Sequence, residues 1–293
     1  MPPADNAIEI EGVRVTHPDR MLFPSPGLTK RGLVDHYLSI ADDMLPHVAD
    51  RPLSLVRCPQ GLSGECFYQK HAGEGFPEAF HRVEIGEKSG TGEYLYIRDR
   101  AGLVAAVQMN VLEIHVWAAK RDRLENPDRL VFDLDPDEGL DLGMVREAAK
   151  EVRQRLRDVG LESFPLVTGG KGVHVVAPLS RRHGWQEHRD FSDRLAHSMA
   201  SDDPDRYTAT MSKQKREGRV FVDYLRNDRG NSAIAPFSTR ARKGAPVAFP
   251  VSWRVLRRLE TAQSVQAGEA AARLGRYRSN PWEGYFYLRQ SLP

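Results

Sequence analysis

Between Arg129 and Pro136 the sequence runs Arg-Leu-Val-Phe-Asp-Leu-Asp-Pro, an apolar strand that ends on two carboxylates and is stopped by proline. Side chains two apart on a strand share a face, so Asp133 and Asp135 point one way while Phe132 and Leu134 point into a core. A helix is predicted next, over 143–159, with Met144, Val145, Ala148, Val152, Leu156 and Val159 on one apolar stripe. A strand over 164–168, a Gly-Gly-Lys-Gly turn and a return strand over 173–177 complete the block. Strand, long helix and antiparallel hairpin in this order predict a mixed α+β or α/β chain rich in antiparallel pairing. A regular doubly wound sheet does not fit. The helix between strands marks one crossover unit.

The rest of the chain is less regular. Short strands precede a helix opened by Thr29, which carries Leu33, Val34, Tyr37, Leu38 and Leu45 at helical spacing. Strands are expected over 53–57 and 93–98, the latter preceded by a mobile loop at Gly90 and Gly92. A helix over 101–112 should feed a short strand around His115. Further on, helices are expected over 185–199 and 253–259, a strand over 219–225 and an irregular aromatic tail over 275–293. With 293 residues and no internal repeat, the reading is one domain, 1–293, with an N-terminal region over 1–125 and a core and tail over 126–293.

Two carboxylates side by side repel each other, and a divalent cation relieves that repulsion. Hard oxygen donors favour magnesium or manganese over zinc. The bland alternative is a strand end with two solvated aspartates. A third carboxylate, Asp223, interrupts the apolar run Arg-Val-Phe-Val-Asp-Tyr-Leu. Such a group needs a metal or a salt bridge to an arginine. With the first pair it would complete a set for two metal ions, the arrangement that serves phosphoryl and nucleotidyl transfer.

Thr168-Gly-Gly-Lys171-Gly-Val-His174 lies between two strands. Glycines let backbone amides approach phosphate oxygens, and Lys171 adds charge. His174 could reach the same phosphates. The spacing is not that of a P-loop, and a plain hairpin turn is the alternative. Net charge is only +2, yet basic residues cluster at Lys120-Arg121, Arg181-Arg182, Lys213-Gln-Lys-Arg216 and Arg240-Ala-Arg-Lys243, which suits a polyphosphate partner or a solvated face. Cys58 and Cys66 are the only cysteines. Two thiols cannot close a zinc site, and no disulfide framework is indicated. The opening residues lack the pattern of a secretory signal, and no apolar run reaches membrane-spanning length. A cytoplasmic, nucleoid-associated setting is the expectation.

The order Leu-Glu-Ile-His115, Asp133-x-Asp135, Thr-Gly-Gly-Lys171-Gly-x-His174, Val-Asp223-Tyr and Phe-Ser-Thr-Arg240-Ala-Arg resembles the polymerase domain of bacterial DNA ligase D. That family belongs to the archaeo-eukaryotic primase superfamily and works in non-homologous end joining. The likeness runs from His17-Pro-Asp-Arg-Met-Leu-Phe-Pro to Pro281-Trp282. It implies a primase-polymerase core in which Asp133, Asp135 and Asp223 hold two Mn2+ or Mg2+ ions. Thr168, Lys171, His174 and Arg240 would hold the nucleoside triphosphate, with His115 near its sugar and ribonucleotides preferred. Phe67 and Tyr68 would stack on template bases, with Arg57 and Lys70 on the same DNA. Arg20 and Lys30 would bind a 5′-phosphate at a gap or break. A Ku-type end-binding protein and a DNA ligase are the implied partners.

Core burial of Phe67 and Tyr68, a core histidine at 115 and a first-turn lysine at 30 are the structural alternatives. This chain has Thr168 where the family often has serine, and Arg20 where it often has lysine. It has no Lys-x-Asp-Gly ligase motif, so ligation is not expected of it. Two other functions compete. Val-Phe-Asp133-Leu-Asp135 resembles the nucleophile strand of haloacid-dehalogenase-type phosphatases, with Asp223 and Asp228 as a later acidic pair. That reading leaves the Arg240 motif unexplained. A non-catalytic DNA-end binder would use the basic clusters alone and would not need the aspartates.

Overall fold

The computed structural model describes residues 6–87 and 90–293, apart from the side chains of Lys213 and Lys215. The first five residues and two members of the basic run 213–216 therefore lie outside the described residues. The chain forms two compact units. One comprises Met1–Val116, Ile234–Val247 and Val265–Arg276; the other comprises Trp117–Ala233, Ala248–Ser264 and Tyr277–Pro293.

The first unit opens with two small hairpins, β1 (Ala7–Ile10) with β2 (Val13–Thr16) and β3 (Met21–Phe23) with β4 (Leu28–Thr29). Thr29 caps the next helix, its Oγ1 accepting the Gly32 N–H at 3.1 Å. The single helix expected there is two, α1 (Lys30–Ser39) and α2 (Ala41–Val48). The break falls at Ile40, whose φ of −122° leaves the helical region, just after the Ser39 hydroxyl donates back to the His36 carbonyl at 2.7 Å. Then follow β5 (Leu53–Arg57), β6 (Phe67–Gln69), β7 (His81–Glu87), β8 (Gly90–Tyr96), α3 (Arg100–Gln108) and β9 (Val111–Trp117). β6, β5 and β9 lie side by side in one antiparallel sheet. Leu33, Val34, Tyr37, Leu55, Leu103, Val107 and Ile114 are fully buried in this unit.

Two expectations fail here. Gly90 and Gly92 belong to strand β8, with Gly92 opposite Ile85, not to a loop. A Cβ at 92 would stand 2.7 Å from the His71 ring, which bonds Glu87 at 3.0 Å, so a larger residue there would have to displace that side chain. Cys58 and Cys66 form a disulfide with Cα atoms 4.3 Å apart. They flank the β5–β6 connection, so the hairpin itself brings the two sulfurs together.

The second unit holds β10 (Arg129–Pro136), α4 (Leu142–Asp158), β11 (Phe164–Val167), β12 (Val173–Pro178), α5 (Trp185–Asp202), β13 (Tyr207–Thr208), β14 (Val220–Asp223), β15 (Phe249–Pro250) and α6 (Trp253–Leu256). Its six-stranded sheet has the order β13-β14-β10-β12-β11-β15, antiparallel except for β13 with β14. β10 and β11 each run antiparallel to β12, so they are parallel to each other and α4 is the crossover between them, the split β-α-β arrangement. Phe132, Leu134, Val145, Ala148, Val152, Val173, Val175 and Val222 are fully buried in this unit. The strand expected over 219–225 stops at Asp223, because Asp223 Oδ1 accepts the Leu225 N–H at 2.9 Å and turns the chain into a 3-10 turn, Leu225–Asn227. The helix expected over 253–259 ends at Leu256. Among the described residues no helix is long and apolar enough to cross a membrane.

Candidate functional site

Cross-strand register assembles the acidic site of the second unit. On β10, Asp133 stands directly opposite His174 of β12 on one side and Asp223 of β14 on the other. Residues directly opposite each other in a sheet project to the same face, so one row across three strands carries imidazole, carboxylate and carboxylate. His174 Nε2 lies 3.3 Å from Asp133 Oδ1. His174 and Asp223 are buried, while the Asp135 side chain is 54% exposed at the end of its strand.

Two arginines face these carboxylates. Nη2 of Arg226 lies 3.2 Å from Asp133 Oδ2 and 3.1 Å from Asp223 Oδ2. Arg216 stacks on the Phe221 ring at 3.8 Å and reaches Asp135 Oδ2 at 3.6 Å. Burial pushes the Asp223 carboxyl above the usual range even though Arg226 pulls it down. Burial, then the charge of Asp133, pushes Asp135 up as well. Anions held against desolvation and mutual repulsion suit a hard divalent cation. The oxygen donors therefore fit a divalent cation. In this arrangement Asp133 and Asp223 converge, Asp135 stands apart with Arg216, and among the described residues no three metal-ligating groups gather at one point.

The Gly-Gly-Lys-Gly turn joins β11 to β12 beside the same strand end. Thr168 Oγ1 donates to the Gly172 carbonyl at 2.9 Å and accepts the Gly170 N–H at 3.3 Å, which closes the turn. Gly169 has a φ of +67°, the left-handed region that glycine adopts without strain. Lys171 is exposed at the tip. Gly172 packs against β10: a Cβ there would stand 2.4 Å from the Leu134 carbonyl oxygen, one residue from each aspartate.

The first unit carries the other candidate residues. Glu113 and His115 share a face of β9, and His115 Nε2 bonds Glu113 Oε2 at 2.8 Å. Tyr68 Oη lies 3.2 Å from the same nitrogen. The segment Phe237-Ser-Thr-Arg240 is stitched to β9 by Ser238, whose Oγ accepts the Ile114 N–H at 2.8 Å, and by Thr239, whose Oγ1 donates to the Leu112 carbonyl at 2.6 Å. These bonds set Arg240 Nε 3.1 Å from Glu113 Oε1, which also accepts the Ala241 N–H at 2.8 Å. Burial opposes ionisation of Glu113, but the His115 bond and the Arg240 charge outweigh it and hold its carboxyl down to about 2. His115 is thus buried, as the core alternative required, but in a charged cluster.

Phe67 and Tyr68 are 44% and 60% exposed, so they are not core residues. Arg57 lies over Phe67 and bonds Gln69 Oε1 at 2.7 Å, and Lys70 continues the exposed edge. The Cys58–Cys66 disulfide staples the loop between Arg57 and Phe67. Lys30 is only 2% exposed, with Nζ 3.2 Å from the Gln108 carbonyl oxygen. Burial, with Arg20 nearby, lowers its pKa to about 8. Arg20 itself is exposed and donates to the Pro59 carbonyl at 2.9 Å.

Three residues of these clusters do not stand out in the sequence. Glu113 shares the spacing of Asp133 and Asp135, since it stands two before His115 on one strand, and that spacing is the signal that points to it. Arg216 is marked only as the end of the basic run 213–216 and Arg226 has no local signal, because their roles depend on where β14 and its following turn meet β10.

Residues 29–282 match the family described as LigD, primase-polymerase domain. The multifunctional non-homologous end joining protein LigD of Pseudomonas aeruginosa is 39% identical over 96% of this chain and 34% of its own length. The protein of the same name from Mycolicibacterium smegmatis is 39% identical over 83% of this chain and 32% of its own. The chain thus spans about a third of the length of these relatives. Among solved structures, the polymerase domain of Mycobacterium tuberculosis ligase D in complex with DNA superposes with a TM-score of 0.85. It is 33% identical, with 96% of this chain and 99% of that one covered.

Proposed function

The chain belongs to the LigD primase-polymerase family, and from that premise we propose that it is a template-directed nucleotidyltransferase that fills gaps and extends ends in double-strand break repair. The observation that carries this reading is the His174–Asp133–Asp223 row, with Asp135 two residues along the same strand. Magnesium or manganese ions held by Asp133, Asp135 and Asp223 would activate the 3′-hydroxyl and neutralise the triphosphate.

The chain's own groups do the rest. Lys171, exposed at the tip of the Gly-Gly-Lys-Gly turn, holds the triphosphate, with His174 beside it; Thr168 keeps the turn closed. Arg240 adds a cation to the nucleotide. His115, anchored through Glu113, contacts the sugar, where a 2′-hydroxyl can donate and accept and so favour ribonucleotides. Competition between ribo- and deoxyribonucleoside triphosphates on one gapped template tests this, and equal use of both would remove the claim. Exposed Phe67 and Tyr68, with Arg57 and Lys70, take the template. A Ku-type end-binding protein and a DNA ligase would act with it at the nucleoid.

Arg20 and Lys30 bind the downstream 5′-phosphate. A buried ammonium with a pKa lowered to about 8 is charged below that value and neutral above it. The binding advantage of a 5′-phosphorylated gap should therefore be full near pH 7 and shrink as pH rises past about 8. Lys30→Ala should cost about tenfold on phosphorylated gaps and little on unphosphorylated ones. Fluorescence anisotropy on the two duplexes reads both effects. A uniform loss on both would reduce Lys30 to a general backbone contact.

A further inference from the structure

The Arg226 guanidinium lies where two candidate metal ligands converge, 3.2 Å from Asp133 and 3.1 Å from Asp223. Its placement is built into the fold. The turn that carries it is clamped to β10 by fully buried Asn227, whose Oδ1 accepts the Val131 N–H at 2.7 Å and whose Nδ2 donates to the Val131 carbonyl at 2.9 Å. Asp223 fixes the other end of the turn by accepting the Leu225 N–H. Arg226 is thereby carried back over the sheet, and its Nε also points to Asp133 Oδ2 at 3.3 Å. A guanidinium bridging two carboxylates neutralises them much as a divalent ion would.

We propose that Arg226 is a resident counter-ion of the acidic site. It keeps Asp133 and Asp223 together and charge-compensated without metal, and it must give way when a divalent cation binds. This rests on the reading of Asp133 and Asp223 as metal ligands. Two consequences follow from charge alone. A positive group beside the site opposes a second cation, and the ion pairs it makes must break for the metal to enter. Both lower metal affinity in the wild type.

The test is a titration with Mn2+ alone, followed by electron paramagnetic resonance of the free ion, with no nucleotide or DNA present. Arg226→Gln should bind Mn2+ about tenfold more tightly than the wild type. Arg226→Lys, which keeps the charge but loses the planar fork, should fall between them. In the wild type, Mg2+ should also speed hydrogen exchange of the Arg226 Nε–H as its ion pairs open, a reading that needs no variant to fold. Equal or weaker Mn2+ binding by Arg226→Gln, or an Nε–H indifferent to Mg2+, would overturn the proposal. Asp133→Asn is the separate control. If it binds Mn2+ as the wild type does, the metal-ligand reading fails and takes the proposal with it; if it loses binding while Arg226→Gln gains, both stand.

Discussion

Asp133→Asn should lose nucleotide addition on the order of 10³-fold or more while keeping DNA binding within about twofold. Asparagine has the shape of aspartate but cannot supply the charge that a divalent ion requires. Asp133 is the residue with most at stake, because it touches His174, faces Asp223 across the sheet and meets Arg226. The candidate DNA contacts Phe67, Tyr68, Arg57 and Lys30 belong to the other unit, so their fold should not register the change. Primer extension and anisotropy on the same gapped duplex separate the two effects. Extension near wild-type level in Asp133→Asn would remove Asp133 from the metal site. Parallel loss of extension and binding would point to general disruption.

The second large effect is expected at a residue with no reactive group. Gly172→Ala would set a methyl 2.4 Å from the Leu134 carbonyl oxygen, closer than any real contact, and the obstacle is backbone that cannot rotate away. Either β12 or β10 must shift. Overpacking of this kind costs about 1–3 kcal/mol. The functional cost should be larger, because Leu134 lies between Asp133 and Asp135, and a displacement near 1 Å in a reacting site costs about 10²-fold. Gly172→Ala should therefore retain most of its thermal stability and lose extension by about two orders of magnitude. Gly139→Ala, in open space beyond the strand end, is the control, although its φ of +91° brings strain of its own. Unchanged extension in Gly172→Ala would show that the turn does not position the aspartates.

Much of the site is legible in the sequence because it is local. The period of β10, the stripe of α4 and the Gly-Gly-Lys-Gly turn follow from side-chain spacing over a few residues, and the folded chain forms each of them nearly where that spacing puts it, except that Val159 lies past the end of α4 and is exposed and Met144 is only half-buried. The lone aspartate in an apolar run likewise marks Asp223 as needing a partner. What spacing cannot give is register between strands far apart in the chain. Period alone does not set Asp133 opposite both His174 and Asp223, and it does not reveal Arg226 as their cation. The Cys58–Cys66 bond is hidden for the same reason, since only the β5–β6 hairpin makes those residues neighbours. Composition makes Gly90 and Gly92 look like a loop, whereas a strand accepts glycine where a side chain such as His71 needs the room. The break at Ile40 is a local event, and the Ser39 hydroxyl is its one sequence signal.

The central claim is nucleotide transfer, and the most direct measurement follows both products on one substrate. A gapped duplex with a 5′-phosphate is incubated with a nucleoside triphosphate complementary to the template, with Mn2+ or Mg2+ and then with chelator. The account predicts a primer one nucleotide longer for each pyrophosphate released, dependence on the template base, and neither product with chelator or in Asp133→Asn. Release of inorganic phosphate without primer growth, the outcome of a phosphatase, or tight DNA binding with no chemistry under any metal, would contradict it.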